Sequence, residues 1–578
     1  MAKRSKKKGA PRRENSERPA APPASAPQST FPTALTGAGL SLLLALVTFL
    51  VYWPSLKADF VYDAHIEFFQ ENFITNLSHL PDVLSLKVLG MNYQLGDRPG
   101  QLLYLMLIAA ISGKDPFGYH LVSNLLHAAN VALLVVLLLR LARAEIANPP
   151  KDIALKMLLA ITATTLIFAL HPLVVEPVSD VSYSSDLLVA FFSLLALLAA
   201  TAFDPDHLRP ALLCGSAGTF CAFASVASKE SGVATAALLV VYWFLYRRRE
   251  TKVPWLCFLG AAIVVTAAFL AARFLLAPPA PMVNSLVYLG GSFSQVFLIQ
   301  PQLWIFMMGK IVWPTQLSAD YTLTDATVVP VHLALTILAV IVVLQAWLAF
   351  KSRLGALGVA MYWLGLATVS NFIPLYRILG DRFYYLPLLG VSLQLLAFFL
   401  LCLKFRRAFW MILAPFLLAA LPLGLLTLKR EVVFASDFNL WTDTIEASPS
   451  SAIAHSNLGF TLYPMGRIDE AIDQLQQAVT ICPDFPIAHY NLGLLLLGKG
   501  KQDEALAHLR KAIAVEPDLA PAYNSIGAIL FQRGQLEAAQ AEFAEALRRQ
   551  PDLVEARDNL TKTQALLRGR AAQKGPVK

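Results

Sequence analysis

The chain has 578 residues, 56% of them hydrophobic and 15% charged, with a formal net charge of +8. That balance lies outside the range of soluble globular domains and makes water a minor solvent for this protein. Residues 1–30 hold eight basic side chains (Lys3, Arg4, Lys6, Lys7, Lys8, Arg12, Arg13 and Arg18) against Glu14 and Glu17, which is +6 of the +8. The surplus therefore belongs to a Pro/Ala/Ser-rich segment, residues 1–32, expected as a disordered cytoplasmic tail beside anionic lipid, and no nucleic-acid partner is expected.

Phe31 to Leu56 runs for 26 residues without a charge. A signal-peptide core spans about 7–15 residues, so this stretch is expected as a retained first transmembrane helix. Ten further apolar stretches follow, at Phe117–Leu139, Met157–Leu170, Leu187–Phe203, Ala211–Ser228, Ser231–Tyr246, Val253–Ala272, Val331–Phe350, Leu354–Tyr376, Phe383–Leu403 and Ala408–Leu428. Val296–Trp313 is also apolar but is broken by Gln300, Pro301, Gln302 and Lys310. Lys and Arg in short loops stay cytoplasmic. Eleven spans place Arg140/Arg143/Lys151/Lys156, Arg209, Arg247/Arg248/Arg249/Lys252, Lys351/Arg353 and Lys404/Arg406/Arg407 on the side of the basic tail. A crossing at Val296–Trp313 would send the last two groups outside, so that stretch is expected to lie in the interface or to re-enter. An odd count leaves the C-terminus opposite the N-terminus.

Residues 452–485, 486–519 and 520–553 form three units of 34, the period of tetratricopeptide repeats. In each unit the eighth residue is Gly (Gly459, Gly493, Gly527), the twentieth Ala (Ala471, Ala505, Ala539), the twenty-seventh Ala (Ala478, Ala512, Ala546) and the thirty-second Pro (Pro483, Pro517, Pro551). Small residues suit close helix pairs, and Pro ends the second helix. Asn439–Ser448 fits the second helix of an incomplete unit, and Val554–Gly569 a terminal solvating helix. The expected architecture is all-α: a polytopic bundle of about 11 spans over residues 33–430 with a large external loop at 57–116, then a repeat solenoid over 431–569 and a flexible tail at 570–578.

Ionisable groups at span ends are costly unless they are used. On the non-cytoplasmic side they are Asp59, Asp63, His65, Glu67, Arg98, His171, Glu176, Asp180, Asp186, Lys229, Glu230, Arg377, Asp381 and Arg382. A carboxylate that activates a hydroxyl, beside cations that hold a phosphate, would suit this mixture; water-facing loop charges or structural ion pairs are the plainer account. His120, Ser123, Asn124, His127 and Asn130 form a polar stripe at helical spacing, expected to bond across helices. No acid shares it, so no metal site is expected. The five cysteines, Cys214, Cys221, Cys257, Cys402 and Cys482, have neither metal-ligand nor disulfide-framework spacing.

Several short motifs in this order resemble a known family. They are Phe60-Val61-Tyr62-Asp63, Arg98-Pro99, Asp115-Pro116-Phe117-Gly118-Tyr119-His120, His171-Pro172-Leu173 with Glu176, Ser228-Lys229-Glu230, and Asp381-Arg382-Phe383-Tyr384-Tyr385-Leu386-Pro387, followed by the repeats. The chain resembles the transmembrane and tetratricopeptide-repeat O-mannosyltransferases and their bacterial relatives, of the GT-C class of glycosyltransferases. That resemblance implies a GT-C-like bundle and a lipid-phosphate sugar donor, a polyprenyl-phosphate hexose with mannose the first choice. The acceptor would be the Ser/Thr hydroxyls of exported polypeptides. By position, Asp63 would be the general base and Arg98, Lys229 and Arg382 would hold the donor phosphate. His65, Glu67, His120, His171, Glu176, Glu230 and Asp381 would line the site. No tightly bound cofactor is implied, and a divalent-metal requirement stays open. The family shows paired acids where this chain has Asp63-Ala64, and a basic residue before the acid where this chain has Tyr183-Ser184-Ser185-Asp186.

Besides the polyprenyl-phosphate sugar, the expected partners are membrane lipids and a polypeptide, as acceptor or as ligand of the repeat face. A bacterial inner membrane with periplasmic repeats is the preferred location; in a eukaryote it would be the endoplasmic reticulum, with the repeats lumenal. Two other readings compete: a catalytically silent anchor presenting a repeat scaffold for envelope or secretion assembly, and a transporter. The transporter is disfavoured because the charges gather at one face, away from the bilayer midplane.

Overall fold

Long apolar runs in lipid satisfy their backbone groups internally, so helices are the expected outcome, and among the described residues no strand is present. The computed structural model describes residues 34–62, 64, 73–91, 95–250, 252–276, 293–370 and 379–573. In chain order the main helices of the bundle are α1 (Ala34–Val51), α2 (Pro99–Ser112), α3 (Pro116–Glu145), α4 (Lys151–Ala169), α5 (Ser184–Ala202), α6 (Leu208–Ser228), α7 (Val233–Tyr242), α8 (Val253–Leu276), α9 (Phe293–Val312), α10 (Val331–Lys351), α11 (Arg353–Ala367), α12 (Tyr385–Cys402) and α13 (Arg406–Val433). Among the described residues nine helices are long and apolar enough to cross a membrane, and shorter apolar helices lie at Gly37–Val51, Pro99–Ser112, Glu230–Tyr246 and Arg353–Ala367. The chain is an integral, multi-pass membrane protein.

Polar bonds sort the helix ends into two groups. At one end Arg353 bonds the Ala144 carbonyl and lies 3.7 Å from Glu145, Arg140 bonds the Leu198 carbonyl, Lys252 pairs with Asp206, and Lys156 sits over the Phe409 ring. At the other end Gln101 bonds the Ser182 carbonyl, His171 the Ile311 carbonyl, and Thr427 the Leu170 carbonyl. The basic clusters of the sequence gather at the first end and the acid-rich motifs at the second.

Two elements differ from a simple count of spans. The loop at 57–116 contains α2, a 14-residue apolar helix packed so closely on the end of α6 that a Cβ at Gly100 would meet Ala227 and Ser228 atoms at 2.8–2.9 Å. Helix α9 is long enough to cross, yet Gln302 bonds the Thr327 and Val329 carbonyls, Trp304 bonds Ser370, and Lys310 bonds the Thr315 and Gln316 carbonyls.

Small residues set the contact between α11 and α12. A Cβ at Gly390 of α12 would lie 2.6 Å from the Tyr362 nitrogen of α11, and one at Gly358 would lie 2.8 Å from the Gly390 carbonyl. Without a hydrophobic effect between helices in lipid, such backbone approach is a main source of packing energy. The polar stripe on α3 bonds across helices: Ser123 to Tyr104 (3.2 Å), Asn124 to the Tyr52 carbonyl (2.8 Å), His127 to the Tyr385 hydroxyl (2.7 Å) and Asn130 to the Leu187 carbonyl (3.1 Å).

The repeat region starts with α14 (Asp437–Ala447), the half unit, and continues through α15 (Ala452–Leu462), α16 (Ile468–Ile481), α17 (Pro486–Gly498), α18 (Gln502–Val515), α19 (Ala520–Gln532), α20 (Leu536–Arg549) and α21 (Val554–Gln573). Helix α21 continues into the segment expected as a tail. The small-residue rule has a direct cause, since a Cβ at Gly459, Gly493 or Gly527 would meet Leu475 at 2.7 Å, Leu509 at 2.8 Å or Phe543 at 2.6 Å on the paired helix. A further period-34 position carries the inter-helix turn: Gly466, Gly500 and Gly534 have φ of +76°, +78° and +74°, a region open to Gly at little cost.

Candidate functional site

The second end of the bundle collects the charged motifs. Asp63, His65 and Glu67 lie outside the described residues, as does Arg377. Arg98 precedes α2, Glu176 sits in a short helical turn at Val175–Ser179, Lys229 and Glu230 follow α6, and Asp381 and Arg382 precede α12.

Glu176 and Arg382 form a buried pair, 3% and 7% exposed. One carboxylate oxygen accepts from Arg382 Nη1 at 2.5 Å and the other from the Arg382 backbone N–H at 2.8 Å. The guanidinium lies 3.9 Å from the Tyr183 ring centre and 4.9 Å from that of Phe383. Lys229 is equally buried and donates to both oxygens of Asp186 at 2.7 and 2.8 Å, with its ammonium 5.6 Å from the Phe383 ring centre. Burial pulls this ammonium below its ordinary range while the Asp186 carboxylate opposes the change. The Phe383 ring thus borders both cations.

A more open trio stands beside this floor. Glu230 is 3.4 Å from Arg98 and 3.2 Å from Arg273, and Arg273 also reaches Asp97 at 2.5 Å. Arg98 and Arg273 are 26% and 22% exposed, against 7% for Arg382.

Asp381 faces away from this cluster. It accepts from the Tyr321 hydroxyl at 2.7 Å and lies 3.5 Å from Arg430, which also donates to the Leu317 carbonyl (3.1 Å) and to Asp443 (2.6 Å). Pro172, Thr315, Gln316, Lys429, Arg430 and Glu446 border a cavity of about 300 Å³ at this junction. Glu431 accepts from Ser179 at 2.7 Å. His171 accepts the Leu173 N–H on Nδ1 and donates from Nε2 to the Ile311 carbonyl; burial pushes its pKa down to about 4, so it is neutral near pH 7. His120 is buried, and a 3.4 Å contact links its Nε2 to the Asp59 carbonyl. Both histidines therefore hold helix ends and loops together.

Arg98, Lys229, Arg382, Glu176 and Glu230 are brought to one end, whereas Asp381 and His171 face the junction with the repeats. Residues missed in the sequence are Arg273, Asp97, Arg430, Glu431, Asp320 and Tyr321. Arg273 carried a visible signal, a lone charge near the end of the apolar run Val253–Leu276. Among the described residues no group of three or more His, Cys, Asp or Glu side chains could hold a metal ion, and all five cysteines are free thiols.

Tetratricopeptide-repeat family signatures match residues 461–500, 486–519 and 520–553. A protein O-mannosyl-transferase of Caenorhabditis elegans is 23% identical over 464 residues, which is 76% of this chain and 62% of that protein. A protein O-mannosyl-transferase of Drosophila melanogaster is 25% identical over 455 residues, 67% of this chain and 48% of the relative. Among solved structures, the first repeat domain of Spaghetti bound to an HSP90 peptide matches 20% of this chain and 92% of that chain, with 26% identity and a TM-score of 0.20. The chain therefore spans about half to three-fifths of the length of these curated relatives. The resemblance carried by the sequence motifs and the similarity found by comparison point to the same group of proteins, the protein O-mannosyl-transferases.

Proposed function

We propose that the protein transfers a hexose, mannose in the first instance, from a polyprenyl-phosphate donor to Ser/Thr hydroxyls of polypeptides on the side of the membrane that carries the repeats. The observation that supports this reading most directly is the gathering of Arg98, Lys229, Arg273 and Arg382 at one end of the bundle. Asp63 takes the hydroxyl proton as the oxygen attacks the anomeric carbon. The carbon–oxygen bond to phosphate breaks, the phosphate leaves with the electron pair, and configuration inverts. General-base assistance of this kind contributes about two to four decades in rate.

Exposure divides the work among the cations. Arg98 and Arg273 are reachable and share Glu230, so they are assigned the departing phosphate, where charge develops in the transition state. Lys229 and Arg382 are buried and committed to Asp186 and Glu176, so they are assigned the support of the floor beneath it. On this assignment Lys229 and Arg382 leave the phosphate-binding set expected from the sequence, and Arg273 enters it. The preferred setting is a bacterial inner membrane with periplasmic repeats.

A second reading, the catalytically silent scaffold, draws on the same pairs, because each of Arg98, Lys229 and Arg382 spends its charge on an acid of this chain. Transfer of radiolabelled hexose from polyprenyl-phosphate donors to polypeptide acceptors, in membranes containing the chain, separates the two. Transfer lost in Asp63→Asn and strongly reduced in Arg98→Ala and Arg273→Ala, at unchanged abundance, is the expected result. Absence of transfer from every donor, with the repeats still capturing a polypeptide, would establish the scaffold.

A further inference from the structure

Helices α6 and α8 leave a cavity of about 730 Å³ between them, at the end of the bundle that holds the basic clusters and away from the site described above. Rings fill the inner side of this pair. Phe203 stacks on Phe258 at 5.3 Å between centres, and Phe258 packs so closely on Gly218 that a Cβ there would lie 2.5 Å from its ring. The exposed side is a trough: Ser216 and Ala261 are small, while Leu212 and Phe220, 59% and 61% exposed, stand beside them. In hydrocarbon an empty gap forfeits the dispersion contacts of its lining, so a trough of this size takes up a lipid chain.

Length and charge narrow the choice of lipid. The lining runs along α6 from Leu208 to Phe223, about 22 Å of helix, against about 15 Å for the hydrocarbon of one leaflet. Toward the end that carries Arg98 and Arg273 the trough closes, where Phe223 meets Phe269 edge-on at 5.8 Å and Leu89 packs with Val226, Ala227 and Phe269. A chain of one leaflet therefore fits, and one descending from the opposite end meets this plug first. At the open end, residues 204–209 and 247–252 place five basic side chains against three acids. Arg209 is exposed, and Lys252, 45% exposed, pairs with Asp206 and so joins the two loops across the mouth. Basic pockets between membrane helices hold anionic headgroups.

We propose that the α6–α8 trough binds one acyl chain of an anionic phospholipid from the leaflet at the basic end, with Arg209 and Lys252 holding its phosphate. The bound lipid ties together two helices whose far ends lead to Lys229 and carry Arg273. This role is one of packing and is independent of whether the protein transfers sugar.

The full chain in phosphatidylcholine vesicles tests this with three chain-photoreactive probes: phosphatidylglycerol, phosphatidylcholine and polyprenyl phosphate. Cross-linked peptides are measured by mass spectrometry, and α10, an apolar helix whose window is only 11% buried, sets the background. Phosphatidylglycerol should label residues 208–223 and 254–265 several-fold above α10, and phosphatidylcholine no more than α10. Arg209→Gln and Lys252→Gln should each lower trough labelling about fivefold, the value of one basic charge near an anionic headgroup. Ala261→Trp, which fills the trough, should remove the label and leave that of α10 unchanged. Where Ala261→Trp does not fold, the reactivity of Cys257, an exposed thiol in the trough, replaces it: a lipid-soluble maleimide should react more slowly in phosphatidylglycerol than in phosphatidylcholine. Equal trough labelling by the two phospholipids, or labelling indifferent to Arg209 and Lys252, would overturn the proposal and leave ordinary lipid contact. Stronger labelling by polyprenyl phosphate than by phosphatidylglycerol would overturn it in favour of a donor chain.

Discussion

Ion pairs in the bundle and in the repeat array share chemistry and differ in consequence. Glu176–Arg382 and Asp186–Lys229 occur once, are nine-tenths buried or more, and join residues from distant parts of the chain. The pairs of the array recur with the repeat: Lys499–Asp469 is matched 34 residues on by Arg533–Asp503, and Asp484, paired with Lys511, is matched 34 residues on by Asp518, paired with Arg549, each with its acid at least 74% exposed. A buried pair that loses one partner strands a charge, whereas an exposed pair returns both partners to water. The array is built to tolerate loss of any one pair and the bundle is not.

The sharpest way to break this contrast is Glu176→Ala, which leaves Arg382 buried and unpaired and should cost about 3–5 kcal/mol of stability. Thermal unfolding in detergent would register it, and a change no larger than that of an array pair would dissolve the distinction. In the array, steric rather than charge changes should have the larger effect. Gly493→Leu drives a side chain into Leu509, which stands 2.8 Å from where a Cβ at this glycine would sit, and overpacking of this kind costs about 1–3 kcal/mol. Loss of repeat helicity by circular dichroism of the full chain is the readout.

A smaller, pH-dependent effect is expected where the two regions meet. Asp320 accepts from Ser451 at 2.6 Å, and burial raises its pKa to about 6, against the bond from Ser451 and the charge of Arg382. A carboxyl whose folded pKa is raised binds its proton more tightly when folded. Its unfavourable contribution is therefore absent below its ordinary range and grows as pH rises through that range to about 6. Asp320→Asn should accordingly gain in Tm relative to wild type between pH 4.5 and pH 7 conditions, roughly the interval between the ordinary and raised values. An unchanged difference would remove Asp320 as a titrating link. The smallest effect belongs to Asp503→Asn, worth no more than about 1 kcal/mol.

The same contrast governs what could be foreseen from sequence. The repeats were legible because a period of 34 places Gly, Ala and Pro at fixed offsets, and the helices sit where those offsets put them. The left-handed glycines at 466, 500 and 534 carry the same period and were within reach. In the bundle, the charge distribution along the loops indicated that Arg98, Glu176, Lys229 and Arg382 share a side. Their pairing was not legible, because Glu176 meets Arg382 across 206 positions and no local pattern encodes that choice. Helix α2 escaped because 14 apolar residues are too short to register as a span. Arg273 escaped because the apolar stretch was ended at Ala272, one residue before it, whereas the helix continues to Leu276.

Gly358 and Gly390 bring α11 and α12 into backbone contact, and α12 begins directly after Asp381 and Arg382. Neither glycine carries any chemistry, and both lie inside apolar helices, α11 and α12, rather than among the charged side chains. Even a methyl group at either position would force the two helices apart at this contact and carry the Arg382 end along with them. In a saturation screen scored for abundance, these two sites should therefore rank with Glu176 and Arg382 among the least permissive of the chain, marking intolerance to size rather than to charge.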